Sequence, residues 1–328
     1  MTAASFELLR AAGAVADNPA DAAAVGHALG IPCLSPYEHT EVFMLNCPPY
    51  ASVFLGPDGA LGGEGADRVA GFWRAIGLSA PAEPDHLTAL LSLYAGLGEA
   101  AAQVRRPATA TMLARARAAL FWEHLWPWLP AYLDAVTDLA IPAASAWAAL
   151  TGAAITAEAA RYRAPATLPL AQRAAPEAPS AGDPGGLVTA LLMPVRSGII
   201  LTRRRLAAAA GDTGTGYRIG ERRYALQAML AQDPAQTLQW LARESEQWAI
   251  RHAGRADPGP ASEWWSHRAG RTARLLTELA GQAAADQAGA DQAPVSAPLP
   301  AVTTTSQPMP KPSAMAAPGP MSQPRSTP

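Results

Sequence analysis

Val69-Ala70-Gly71-Phe72-Trp73-Arg74-Ala75-Ile76-Gly77 is the stretch that decides the fold class. Val69, Phe72, Trp73 and Ile76 fall at i, i+3, i+4 and i+7, which places them on one face of a 3.6-residue helix. Gly77 stands where a C-terminal cap belongs. The spacing predicts an amphipathic helix over 64–77. A second follows at once, with Leu87, Leu90, Leu91, Tyr94 and Leu97 on its apolar face and Asp85, behind Pro84, placed to cap its start.

The same period recurs on both sides. Residues 3–16 and 20–29 predict two short helices, divided by Asp17-Asn18-Pro19 and stopped by Gly30-Ile31-Pro32. Residues 39–46 predict another, and 47–63 a proline- and glycine-rich ordered loop. A longer helix is expected over 108–125, with Leu113, Leu120, Phe121, His124 and Leu125 inward. One around 130–140 follows, broken by Pro142 and resumed to Tyr162. Residues 164–186 read as a linker or long loop, 187–210 as helix with a turn near Pro194, and 220–231, 234–252 and 262–281 as the last helices. Asp233-Pro234 supplies an N-cap and first-turn proline for the second of these. After about Gln282 the composition changes. The final 36 residues hold ten prolines, two charges and no aromatic residue, too little apolar surface to offset the entropy of ordering.

Composition agrees with an all-α fold. Apolar residues make up 49% of the 328, much of that alanine, and aromatics 6%, which favours helix over strand. The net charge of −2 makes the whole chain no magnet for nucleic acid or anionic membrane. The charge is uneven, however. Pro36 to His86 carries seven acids and two bases, whereas Val188 to Arg274 carries thirteen arginines and seven acids. Such asymmetry suggests two tasks or an attraction between the regions. No run approaches the roughly 20 apolar residues of a membrane span, and the N-terminus lacks the pattern of a signal peptide. A cytoplasmic protein without stable membrane insertion is expected.

The motifs for catalysis and metal binding are missing. Cys33 and Cys47 stand in no CxxC or zinc spacing and read as buried thiols. The six histidines form no ligand cluster, so no metal is expected. There is no Gly-x-Ser-x-Gly elbow and no P-loop. Gly211-Asp212-Thr213-Gly214-Thr215-Gly216 lacks the Lys-Ser/Thr ending and reads as a loop. Neither enzyme activity nor a cofactor is expected.

Ordered motifs between residues 30 and 205 resemble the TorD/DmsD/NarJ family of redox-enzyme maturation chaperones. Pro48-Pro49-Tyr50-Ala51-Ser52-Val53 resembles the family's loop of paired prolines and an aromatic, and Phe72-Trp73-Arg74 follows in order. Glu83-Pro84-Asp85-His86 resembles its Glu-Pro-x-Asp-His signature, shortened by one residue between Pro84 and Asp85. His124-Leu125-Trp126-Pro127-Trp128-Leu129 resembles its late His-Leu-x-x-Trp helix end, and Leu192-Met193-Pro194-Val195 the start of its last helix. The resemblance implies a TorD-like helical bundle over 1–205; beyond it a helical C-terminal extension at 206–281 and a disordered tail at 282–328 are expected. It implies a cytoplasmic chaperone, monomer or homodimer. Its expected partners are a twin-arginine signal peptide and the precursor of a molybdopterin-containing oxidoreductase, held until cofactor insertion is complete.

A receptor for such a peptide needs carboxylates for two guanidinium groups and an apolar groove for the hydrophobic stretch behind them. The candidate binding residues are Glu38, His39, Glu41, Val42, Phe43, Tyr50, Trp73, Asp85, His86 and His124. Each also has a structural reading. Asp85 reads equally as a helix cap, and Glu38, His39 and Glu41 as a solvated face. Val42, Phe43, Tyr50 and Trp73 read as core, and His124 as a buried histidine. Trp122, Trp126 and Trp128 pack a core or mark an interface. The competing reading places a helical nucleic-acid-binding or regulatory module on the Arg-rich 203–223 region. There, Thr202-Arg203-Arg204-Arg205 and Gly220-Glu221-Arg222-Arg223-Tyr224 have a helix–turn–helix cadence.

Overall fold

The computed structural model describes residues 3–182, 186–255 and 259–292. The fold is all-α. Among the described residues no strand forms, and one isolated antiparallel bridge joins Tyr50 and His86.

The N-terminal layer is α1 (Ala3–Asp17) and α2 (Pro19–Leu29), followed by α3 (Pro36–His39), which passes into a π-helix over Thr40–Asn46. Asn18 caps α2, and Gly30, at φ 67°, closes it. Short α4 (Ala51–Leu55) leads to α5 (Gly63–Ala75), the helix predicted over 64–77. Gly77 sits at φ 81°, its N–H bonds Arg74 and the Leu78 N–H bonds Trp73, which is a Schellman ending. Then come α6 (Leu87–Gln103) and α7 (Pro107–Leu120), which passes into a second π-helix over Phe121–Leu125. After these follow α8 (Leu129–Thr137) and α9 (Pro142–Ala159). Helix α1 packs on α6, α6 on α7, and α8 on α9.

The stretch expected as a linker or long loop is tied down. It holds α10 (Leu170–Arg173), whose Leu170 N–H donates to the Glu123 carboxylate at 2.7 Å. Next are α11 (Leu187–Leu191), α12 (Pro194–Ser197), α13 (Arg203–Thr213), α14 (Arg222–Gln232), α15 (Pro234–Ala253) and α16 (Ala261–Gln292). Helix α16 runs eleven residues past 281, through the first part of the expected tail; residues 293–328 lie outside the described residues. The alanine-rich, proline-free run to Gln292 has the composition to continue the helix.

One apolar core runs from Leu9 to Leu276. Helix α13 crosses the 205/206 boundary. Trp265 donates its indole N–H to the Pro127 carbonyl at 2.6 Å, and Thr272 its hydroxyl to the Ser197 carbonyl at 2.7 Å. Arg251 pairs with Asp138 at 2.7 Å, and Arg255 with Asp134. Trp122, Trp126 and Trp128 are buried, which places them in the core. Cys47 is a buried free thiol; Cys33 is also free but exposed, because α2 ends just before it and its loop lies at the surface.

Candidate functional site

Two loops cross at one end of the bundle, and the prolines decide how. Pro49 and Pro84 have no N–H to donate, and they join the crossing through their carbonyls alone. The Leu87 N–H donates to the Pro49 carbonyl at 2.8 Å, and the Ala51 N–H to the Asp85 carbonyl at 3.0 Å. Trp73, reaching from α5, donates its indole N–H to the Pro84 carbonyl at 3.3 Å. These contacts stitch 47–52 to 84–87.

Asp85 does cap a helix, but not the one expected. Its buried carboxylate accepts the Ser52 N–H at 2.9 Å, in the first turn of α4, thirty-three residues back. The cap of α6 is His86, whose Nδ1 accepts the Thr88 N–H at 3.2 Å. The neutral ring then carries its proton on Nε2. Burial pushes the His86 pKa down, opposed by Asp17, Glu83 and Asp85.

Above this crossing the surface is acidic and aromatic. The Tyr50 and His86 rings meet edge to face, centroids 4.7 Å apart. The Tyr50 hydroxyl donates to Glu83, and burial first, then that bond, pushes its pKa up to about 12. Asp17, at the end of α1, places a carboxylate oxygen 3.9 Å from His86 Nδ1. Asp17 and Glu83 are both exposed.

Four of the ten sequence candidates therefore come together: Tyr50, Trp73 and His86 around the crossing, and Asp85 beneath it. The others do not. His39, Val42 and Phe43 are buried. His39 Nε2 bonds the Val15 carbonyl at 3.1 Å, and Phe43 meets Trp147 edge to face. These three offer no face to a peptide. The solvated face expected of His39 is corrected: α1 covers it. Glu38 is engaged in a capping box with Ser35, which holds its carboxyl below the usual range. Glu41 accepts from Asn46 on its own π-helix. His124 is buried against Phe72, and burial first, then Arg68, pushes its pKa down to about 4.

Asp17 and Glu83 were absent from the sequence candidates. Glu83 stands in the Glu-Pro-Asp-His motif, so a signal existed. Nothing in the sequence links Asp17 to that motif, because the two meet only through the packing of α1 on α6.

Residues 36–134 match the family model described as nitrate reductase delta subunit. That match supports the NarJ/TorD-type chaperone family for this segment. The segment holds the loop crossing, α5 and the second π-helix, and it leaves Asp17 and the helices from α9 onward outside. This family assists the maturation of molybdenum enzymes, which supports a chaperone role and gives no ground for a catalytic one. No curated protein and no solved structure matched the chain. Among the described residues no helix is long and apolar enough to cross a membrane, and no cluster of metal-ligating side chains forms.

Proposed function

We propose that the chain is a cytoplasmic chaperone that binds the twin-arginine signal peptide of a molybdenum-cofactor oxidoreductase and holds the precursor during cofactor insertion. The observation that carries the reading is the convergence of the Asp17 and Glu83 carboxylates on the Tyr50–His86 ring pair. Two accessible carboxylates beside an aromatic edge suit two adjacent guanidinium groups, which pair with carboxylates and stack on rings. Exposed ion pairs contribute only about 0–1 kcal/mol each. The apolar part of the peptide therefore supplies most of the affinity, and the acids supply the selection.

The test is titration with a synthetic twin-arginine peptide by calorimetry. Asp17→Asn with Glu83→Gln is expected to weaken binding by about two- to thirtyfold, the range of two exposed pairs, with no change in melting temperature. Replacing the arginine pair of the peptide by alanines should abolish the difference between wild type and variant. A peptide that binds equally well with and without its arginines would overturn the reading.

The nucleic-acid reading has less to stand on. Arg205 is engaged by Glu244 and lies over the Trp240 ring, and Arg222 donates to the Leu201 carbonyl. Arg205 is therefore committed to contacts within the protein, and one Arg222 donor to the backbone.

A further inference from the structure

Arg222 opens α14 and lines a cleft of about 330 Å³ between the π-helix Thr40–Asn46, α4 and the α11–α14 region. Its guanidinium makes one hydrogen bond to protein, to the Leu201 carbonyl at 2.9 Å. Five donors are available on that group. Among the described residues no carboxylate pairs with it, although Arg205, Arg251 and Arg255 all have one. Instead its charged neighbour is Arg203, and Cys47 is a neutral thiol. Burial lowers the Arg222 pKa, and the Arg203 charge adds to the effect. Arg222 is half-buried, and a charge partly withdrawn from water normally has a counter-charge, because its desolvation is otherwise uncompensated.

Two further features point the same way. Glu221 is the N-cap of α14 but makes no side-chain cap bond, so the first-turn N–H groups have no side-chain cap. Arg223 lies at the rim. The cleft also carries Asp58 and Glu221; Asp58 accepts the N–H of Ala60 in its own loop, and Glu221 is exposed. Met44, Leu45, Phe54, Leu192 and Met193 form apolar walls.

We infer that this cleft binds a small organic phosphate, its phosphate group between Arg203 and Arg222 and its apolar or aromatic body against Met44, Phe54 and Met193. A phosphate monoester carries close to two charges near neutral pH and matches two guanidinium forks, which one carboxylate does not. The volume lies at the lower end of small-molecule sites, which start at about 300 Å³. This site is separate from the Tyr50–His86 surface and does not depend on the signal-peptide reading.

The experiment is thermal melting and calorimetry of the full chain with phenyl phosphate, inorganic phosphate, benzoate and benzylamine as probes. Phenyl phosphate is expected to raise the melting temperature and bind at least tenfold more tightly than benzoate, with inorganic phosphate weaker and benzylamine inert. Arg222→Gln is expected to melt at or above the wild-type temperature without ligand, because an unpaired charge is removed, and to lose the phenyl phosphate shift. Should that variant not fold, Arg203→Gln must weaken phenyl phosphate at least threefold. No shift of the wild type at millimolar phenyl phosphate, benzoate binding as tightly as phenyl phosphate, or an unchanged affinity in every folded arginine variant would overturn the inference.

Discussion

The Asp85 carboxylate accepts the Ser52 N–H at 2.9 Å inside the protein, so the aspartate of the Glu-Pro-Asp-His motif holds two loops together from below. Asp85→Ala leaves the buried Ser52 N–H without its acceptor, which costs about 1–3 kcal/mol. Asp85→Asn keeps an acceptor oxygen and should cost less. Urea midpoints rank the three proteins, and two variants as stable as wild type would dismiss the role. Any loss of peptide binding in Asp85→Ala should then track loss of fold, unlike that of Glu83→Gln.

Glu158 is the centre of a second buried arrangement. Its side chain accepts from Arg117 at 2.7 Å and from the Tyr94 hydroxyl at 2.8 Å, and pairs with Arg161 at 3.0 Å. Arg117 also lies over the Tyr94 and Phe6 rings. These contacts tie α1, α6, α7 and α9. Removing one partner of a buried ion pair costs about 3–5 kcal/mol. Glu158→Leu is therefore expected to lower the unfolding free energy by that order, and Glu158→Leu with Arg117→Met to recover most of it. A double variant no better than the single one would show that the apolar packing, rather than the charge pair, carries the energy.

Helices were legible in the sequence where the apolar period is strong. Val69, Phe72, Trp73 and Ile76 all face the core, and the end of α5 at Gly77 follows from the freedom of glycine at positive φ. The partners of charged residues were not legible, because they lie far away in sequence. Asp85 meets Ser52 and Asp17 meets His86 only after the loops cross and α1 packs on α6. Local pattern therefore assigned Asp85 to the nearest helix start. The Thr40–Asn46 segment misled for a related reason. His39, Glu38 and Glu41 read as a polar face, but α1 buries His39 while Met44 and Leu45 are turned to the surface.

The 1–205 stretch and the C-terminal helices approach closely at Gly198. Its φ is 76°, and a Cβ added there would stand 2.3 Å from the backbone nitrogen of Ala269. Left-handed backbone alone costs a residue with a Cβ about 1–2 kcal/mol, and the clash forces α12 away from α16. Gly198→Ala is expected to lose more than about 2 kcal/mol of stability. In hydrogen exchange, faster exchange should concentrate in α12, α15 and α16. Exchange that rises evenly, or not at all, would mean that this contact does not fasten the two parts.

Acid should destabilise the protein before its carboxylates titrate. His124 and His252 are buried, and burial is the main cause that lowers their pKa values, to about 4 and about 3 from 6.5. Arg255 and Arg251 press further on His252, while the Gly198 carbonyl, bonded to its Nε2 at 3.0 Å, opposes them. Below pH 6.5 the unfolded chain takes up protons at both rings and the folded protein does not. Stability therefore rises with pH through this window and is lost as pH falls toward the folded values. Two such groups amount to a few kcal/mol over the window, at about 1.4 kcal/mol for each tenfold change in proton affinity and discounted for partial solvation. His39 and His86, also lowered by burial, act in the same direction. Urea midpoints at about pH 7.5 and about pH 5 measure the effect. His124→Gln and His252→Gln should each flatten the pH dependence even where they lower stability at the higher pH. A midpoint that stays constant between the two conditions would mean that these rings take up protons without leaving the folded state.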